Sequence, residues 1–235
     1  QKNKNKADMN KKIGRSIDGW LILDKPVGLT SARCLSIVKR LTGVKKAGHG
    51  GTLDPLASGV LPIAFGEATK AVKYVLDGYK SYEFGVRWGI QTTTDDAEGD
   101  VIQETNKIPN KDQINYGITS FIGDISQIPP AFSAIKINGI RSYNLARQGK
   151  SPKLKSRKVT IKKLELVEKA GNESKFFLNC SKGTYVRSVA RDMALLLGTA
   201  AHVTSLRRVK AGSFDIKSAF SLDSIERLSH SGYLL

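Results

Sequence analysis

The chain reads as an α+β protein, a mostly antiparallel central sheet flanked by helices and loops. Three observations predict this class. Tyr82, Phe84, Val86, Trp88 and Ile90 alternate with Glu83, Gly85, Arg87 and Gly89, the two-residue period of a half-buried strand. Val186, Val189, Ala190, Met193, Leu196 and Leu197 recur at helical spacing between Tyr185 and Leu197. Further apolar runs follow one another without the strand–helix–strand rhythm of a parallel sheet.

Residues 1–18 carry Lys2, Lys4, Lys6, Lys11, Lys12 and Arg15 among few apolar residues, the composition of a disordered basic arm. Trp20 to Asp24 reads as a buried strand ended by a turn at Lys25-Pro26-Val27-Gly28. Thr30 or Ser31 can cap a helix with Cys34, Val38 and Leu41 on one face and Gly43 at its end. Val60 to Phe65 is a short strand, and Ala68 to Leu76 a helix presenting Ala71, Val72, Val75 and Leu76. A polar turn spans residues 92–99, and Ile114, Ile118 and Phe121 mark a helix stopped by Gly123. Phe132 to Ile137, Val159 to Val167, Lys175 to Cys180 and His202 to Val209 read as strands, and Ser221 to Arg227 as a last short helix.

A chain of 235 residues fits one large domain or one domain with a small appendage. Its 40% apolar and 25% charged residues are ordinary for a folded protein, but a net charge of +17 is not. That charge points to a polyanionic partner or an anionic membrane surface. No apolar run approaches the roughly 20 residues that span a bilayer, and the charged start has no signal-peptide pattern. Cys34 and Cys180 are too few for a disulfide framework, so a reducing, cytoplasmic setting is expected. Two cysteines and the scattered His49, His202 and His230 offer no metal-ligand spacing, so no metal is expected.

The charge is unevenly spread. Between Ile125 and Leu164 there is no acidic residue, yet there are ten basic ones: Lys136, Arg141, Arg147, Lys150, Lys153, Lys155, Arg157, Lys158, Lys162 and Lys163. Natural surfaces mix signs for solubility, so a long single-sign stretch favours nucleic-acid contact. Gly139, Gly149 and Pro152 imply a flexible loop within it, able to close over a ligand.

Against that background the run Gly48-His49-Gly50-Gly51-Thr52-Leu53-Asp54-Pro55 changes meaning. Alone it is an ordinary turn. Its glycines also let a backbone approach a bulky ligand, since no Cβ intervenes, and Pro55 holds Asp54 toward an extended backbone. Beside a polyanion, a lone carboxylate can attack, or stabilise charge on, a nucleoside. A second acid, wanted for glycoside hydrolysis, is not adjacent. Lys182-Gly183-Thr184-Tyr185-Val186-Arg187 opens a helix with a glycine, an aromatic ring and a cation together.

The run from Gly48 to Gly59 resembles the catalytic motif of the TruB-type pseudouridine synthases, which isomerise a uridine in the T-loop of tRNA. Lys25 to Ser31 resembles the family's first motif. Gln127 to Lys136, Ala146 to Gly149, Lys182 to Arg187 and Leu206-Arg207-Arg208 follow in the family's order, so the likeness runs from about Gly19 to Phe214. It implies conversion of uridine to pseudouridine at position 55 of tRNA, with no cofactor, by a monomer acting on the T-stem-loop. It also implies roles for single residues. Asp54 falls on the aspartate that attacks the nucleoside, at C6 of the base or C1′ of the ribose. Tyr82 falls on the tyrosine that packs on the target uracil and is implicated in removing the C5 proton. Arg187 falls on the arginine paired with the aspartate. Tyr185 and Leu206 fall on the uracil pocket, and His49 on the histidine that fills the space of the flipped base. Asp96 falls on an acidic residue orienting the network. The basic stretch from about 130 to 158 corresponds to an RNA-gripping thumb loop, whose backbone contacts would come from Lys136, Arg141, Arg147, Lys150, Lys153 and Arg157.

Two departures stand out. The family usually has Thr-Asp-Thr where this chain reads Thr92-Thr93-Thr94, so Asp96 rather than Asp95 is chosen by register. Many relatives continue into a further RNA-binding segment; here the expected division is a catalytic domain over 19–220 and a short C-terminal remnant over 221–235. The competing readings are an RNA-folding factor, a guide-dependent synthase and a nucleoside hydrolase.

Overall fold

The computed structural model describes residues 16–150 and 152–231. Most of the expected basic arm, and residues 232–235 of the C-terminal segment, lie outside the described residues. The chain runs through β1 (Gly19–Lys25), α1 (Ser31–Thr42), β2 (Ala47–His49), β3 (Ala57–Phe65), α2 (Val72–Asp77) and β4 (Lys80–Trp88). Next come β5 (Ile90–Thr92), β6 (Val101–Glu104), α3 (Lys111–Thr119), β7 (Gly123–Gln127), β8 (Lys136–Ile137), β9 (Ile140–Arg141) and α4 (Ser142–Arg147). The remainder is β10 (Arg157–Ala170), β11 (Glu173–Cys180), α5 (Val186–Leu196), β12 (Ala201–Ala211), β13 (Phe214–Asp215) and α6 (Leu222–His230).

Among the described residues nine strands form one sheet, in the order β1-β3-β12-β4-β11-β10-β7, with β2 on β3 and β13 on β12. Every pairing in it is antiparallel except β3 with β12, as the expected α+β class requires. The late strand β12 thus inserts between two early ones. It sets Leu206 opposite Ala57 and Phe84, and Arg208 opposite Gly59 and Tyr82. The approach at Gly59 is close: with φ 100° its backbone leaves no room for a side chain, since an added Cβ would sit 2.2 Å from the Arg208 carbonyl oxygen.

The main core lies where α5 and α3 cover β4, β10, β11 and β12, around Phe84, Trp88, Phe176, Leu178, Val189 and Met193. Leu53, Ala57, Tyr82 and Leu206 belong to its margin, so the glycine-rich loop is anchored on it. A second core packs α1 and α6 on β1 and β3, around Leu23, Cys34, Val38, Leu61, Ile63 and Ile225.

Several elements differ from expectation. The strand expected from Val60 begins at Ala57, and the one expected from Val159 runs over Arg157–Ala170. The helix expected over Ala68 to Leu76 is a 3-10 turn over Gly66–Ala71 followed by α2, with no buried residue in either part. The strand expected over Phe132 to Ile137 is not formed as such. Only Lys136–Ile137 pairs, with Ile140–Arg141, across an Asn138-Gly139 turn in which both residues have positive φ (49° and 82°). Asn-Gly is the strongest short hairpin signal because that turn needs left-handed backbone twice. Upstream of the hairpin, backbone carbonyls are given to side chains of α5 instead of to a sheet.

Candidate active site

The loop carrying Asp54 is held from both sides by backbone hydrogen bonds. Thr30 caps α1 by accepting from the Arg33 N–H at 3.1 Å, which leaves Ser31 free for another task. The Ser31 hydroxyl accepts from the Leu53 N–H at 2.8 Å and donates to the Leu53 carbonyl at 3.1 Å. Beyond Asp54, the Pro55 carbonyl accepts from the Gly28 N–H at 2.8 Å and from Lys25 Nζ at 3.4 Å. Lys25 is buried and also donates to the Leu29 carbonyl at 2.6 Å and the Pro26 carbonyl at 2.8 Å. The turn after β1 and the Asp54 loop are therefore one unit. Two of the glycines are also closely packed. A Cβ on Gly50 would lie 3.1 Å from Val75 Cγ1, and one on Gly51 would lie 3.3 Å from an Arg208 guanidinium nitrogen.

The Asp54 side chain is 37% exposed, whereas its partner Arg187 is 5% exposed, and Nη2 meets Oδ2 at 2.8 Å. A second carboxylate, on the 3% exposed Asp96, lies 3.4 Å from Arg187 Nη1. The same two nitrogens also donate to backbone carbonyls, Nη1 to Thr94 at 2.8 Å and Nη2 to Phe132 at 3.0 Å. A buried guanidinium needs such compensation, because an unpaired charge in the interior is costly. Asp96 is fixed in turn by the Thr94 hydroxyl at 2.5 Å and the Glu98 N–H at 3.0 Å. Asp96, not Asp95, is the residue on Arg187; Asp95 pairs with Arg191 at 3.2 Å.

Tyr82 is buried on β4, opposite Arg208 of β12. Burial pushes its phenol above the ordinary value and the Arg208 charge opposes this, so the phenol is neutral near pH 7. Tyr185 precedes α5, its backbone held by Gln127, which donates to its carbonyl at 3.1 Å and accepts from its N–H at 2.8 Å. The Arg157 guanidinium sits 5.6 Å from the centre of its ring. Burial also raises the Tyr185 phenol, and the Asp54 charge acts in the same direction on both tyrosines. Leu206 is buried between β3 and β4. His49 ends β2 half-buried, with a buried Nδ1 that has no partner among the described residues. Burial, seconded by Arg208, keeps its ring below the usual imidazole range.

Of the thumb residues, Lys136, Arg141, Arg147, Lys150 and Lys153 are exposed, and Arg141 and Arg147 flank the Tyr143 ring at 5.9 and 5.6 Å. Arg157 is half-buried and lies against the Tyr185 ring. Lys25, Ser31 and Arg208 stand in the sequence only as members of motifs; their contacts with the Asp54 loop come from the fold. Arg208 was within reach, since Leu206 and Arg208 share a strand face at period two. Its Nε donates to the Val60 carbonyl at 2.8 Å and its Nη2 to the Gly51 carbonyl at 3.0 Å. Among the described residues, no group of three or more His, Cys, Asp and Glu side chains could hold a metal ion, and no helix is long and apolar enough to cross a membrane.

Residues 39–186 match the family model of the TruB family pseudouridylate synthase N-terminal domain, and residues 187–232 that of the tRNA pseudouridylate synthase B C-terminal domain. The chain belongs to the TruB family. It is 49% identical over 223 residues to the tRNA pseudouridine synthase B of Ehrlichia canis (strain Jake), covering 92% of this chain and 74% of that protein. With the Rhodospirillum rubrum protein of the same name it shares 50% over 218 residues, covering 92% and 71%. Among solved structures it is similar to one from a Cbf5-Nop10-Gar1 complex, with TM-score 0.71, 30% identity and coverage of 91% of this chain and 56% of that one. An archaeal box H/ACA Nop10-Cbf5 complex gives TM-score 0.68 at 28% identity, covering 90% and 54%. The chain thus spans just over half the length of those solved chains. The family boundary at residue 187 falls at the start of α5 and not between folding units, because β12 lies at the middle of the sheet.

Proposed function

We propose that this chain isomerises uridine to pseudouridine at position 55, in the T-loop of tRNA, with Asp54 as nucleophile on an extruded base. Family membership supports the coarser part, pseudouridine formation in tRNA. One observation carries the finer part: a solvent-facing carboxylate whose counter-charge is almost wholly buried beneath it. Such an arrangement presents Asp54 to a ligand while Arg187 keeps its orientation. Uridine and pseudouridine have the same atoms, so no redox partner is needed. The C1′–N1 bond breaks, a C1′–C5 bond forms, C5 loses its proton and N1 gains one.

A base in a folded loop must first leave its stack, at roughly a few kcal/mol. Stacking on Tyr82 would return about 1–3 kcal/mol, and His49, neutral and at the loop's edge, would fill the gap. Tyr82 enters as a neutral phenol. To take the C5 proton its oxygen must first give up its own, which N1 gains, and the Arg208 cation opposite it stabilises the phenolate that exists between the two transfers. Tyr185 and Leu206 wall the uracil pocket. The exposed thumb cations Lys136, Arg141, Arg147, Lys150 and Lys153 grip phosphates without reading bases. The catalytic unit is residues 19–220, onto whose second core α6 of the C-terminal segment packs. A cytoplasmic site of action accords with the substrate and with two unpaired, buried cysteines.

The test is tritium release from 5-tritiated uridine in the T-loop of bare tRNA. The unaltered chain should release it, and Asp54→Asn should bind tRNA yet release none. Full turnover by Asp54→Asn would refute the assignment. The likeness to Cbf5 chains favours a guide-dependent reading in fold only. Relatives 49–50% identical carry the tRNA-modifying name, and activity without a guide RNA separates the two.

A further inference from the structure

Arg187 is not alone among the arginines of α5 in reaching the Thr94–Asp96 tripeptide. Arg191 lies one turn further along the same face, and its Nη1 meets Asp95 Oδ2 at 3.2 Å. The other oxygen of Asp95 accepts from Gln91 Nε2 at 3.2 Å. Arg191 Nη2 donates to the Ile128 carbonyl at 2.7 Å, and its Nε to Asp192 Oδ1 at 2.9 Å. The two arginines therefore clamp the same two segments in parallel. Arg187 takes Thr94, Asp96 and Phe132; Arg191 takes Asp95 and Ile128.

Asp95 is buried and has φ 60°, the left-handed region, which among the described non-glycine residues only Asn138 shares. Aspartate tolerates that region better than most residues, yet it persists only where the surroundings over-determine it. Here the surroundings are the Arg191 pair and the Asp95 carbonyl, which accepts from the Val203 N–H at 3.0 Å. The reversal at Asp95 is what turns the next side chain, Asp96, onto Arg187. No ion pair or hydrogen bond joins Asp95 or Arg191 to Asp54 among the described residues, so neither is placed to touch substrate through it.

Resting on the proposed reaction, we infer that Asp95 and Arg191 are positioning residues: their pair sets the reversal that holds Asp96, and through it Arg187, against Asp54. Displacement of a catalytic group by about 1 Å can lower a rate by about 100-fold.

The test separates charge from backbone. Asp95→Asn keeps a residue that tolerates left-handed φ but removes the charge, Asp95→Gly frees the backbone and removes the side chain, and Arg191→Lys keeps the charge without the fork. Two readouts are taken on each folded variant. One is the 15N signal of the Arg187 guanidinium in the free protein, which needs no activity. The other is the tritium-release rate at saturating tRNA, with the tRNA Kd measured alongside. In all three variants the Arg187 signal should move and the rate should fall by about tenfold or more, with Kd within about twofold. An unmoved signal, or a full rate in a variant that is merely less stable, overturns the inference. If the unaltered chain releases no tritium, the proposed reaction fails, and the Arg187 signal alone then decides the positioning role.

Discussion

At the scale of single residues, the site is a set of buried groups arranged so that one exposed carboxylate has a fixed direction. Ser31 shows how local this is. Its hydroxyl pairs both backbone groups of Leu53, the residue before Asp54. Ser31→Ala would leave a buried N–H and carbonyl without partners, a loss of about 1–3 kcal/mol in a urea titration. Its rate of tritium release should fall as well; a stability unchanged within error would show that the pairing is dispensable. His49 gives a pH-dependent case. Burial lowers its folded pKa below the ordinary value of 6.5, so the unfolded chain binds the proton more readily. The stability that neutral His49 contributes is present above about pH 6.5 and is lost as pH falls through the folded pKa. An NMR titration of the ring should give a midpoint below 6.5, and a midpoint above it would contradict this burial. Asp54, Arg187 and His49 stood out in the sequence as candidates because they sit in motifs, and Tyr82 because it heads an alternating strand. Lys25 and Ser31 lie in a motif too, but their contacts with the Asp54 loop, like the pairing of Asp95 with Arg191, arise from burial and from contacts across the fold.

At the scale of elements, the decisive one is β12. Its alternation was readable as a strand, but its place between β3 and β4 was not, because periodicity carries no partner information. That place depends on Gly59, where φ is 100° and the Arg208 carbonyl occupies the space of a side chain. Gly59→Ala should destabilise the protein by more than about 2 kcal/mol, read from urea unfolding. A stable variant would mean that the β3–β12 pairing is not as close as described. Where the expectations missed, the reason is local chemistry. The 3-10 turn at Gly66–Ala71 rests on a residue with φ 52° at Gly66, and the Phe132 to Ile137 strand is forestalled because the Phe132 and Ile135 carbonyls accept from the Arg187 guanidinium and the Ser142 N–H.

At the scale of the whole molecule, the charge of +17 and the ten cations between Ile125 and Leu164 make association with tRNA an electrostatic matter. Affinity should fall steeply with salt, because each neutralised phosphate releases counterions. Lys150→Ala with Lys153→Ala, both on the exposed thumb, should lower the slope of log K against log salt by about 1 per lost contact. The rate at saturating tRNA should stay unchanged, and an unaltered slope would remove these lysines from the interface. The sheet class was readable from sequence because alternation survives any strand order. The order was not, nor was the union of thumb root, polar turn and α5 around one buried arginine.

The most direct measurement is a position-by-position map of pseudouridine in unmodified tRNA treated with the purified protein. A single new pseudouridine at position 55, abolished by Asp54→Asn, is the expected result; no pseudouridine, or one elsewhere that survives the substitution, would contradict the assignment of this carboxylate to T-loop chemistry.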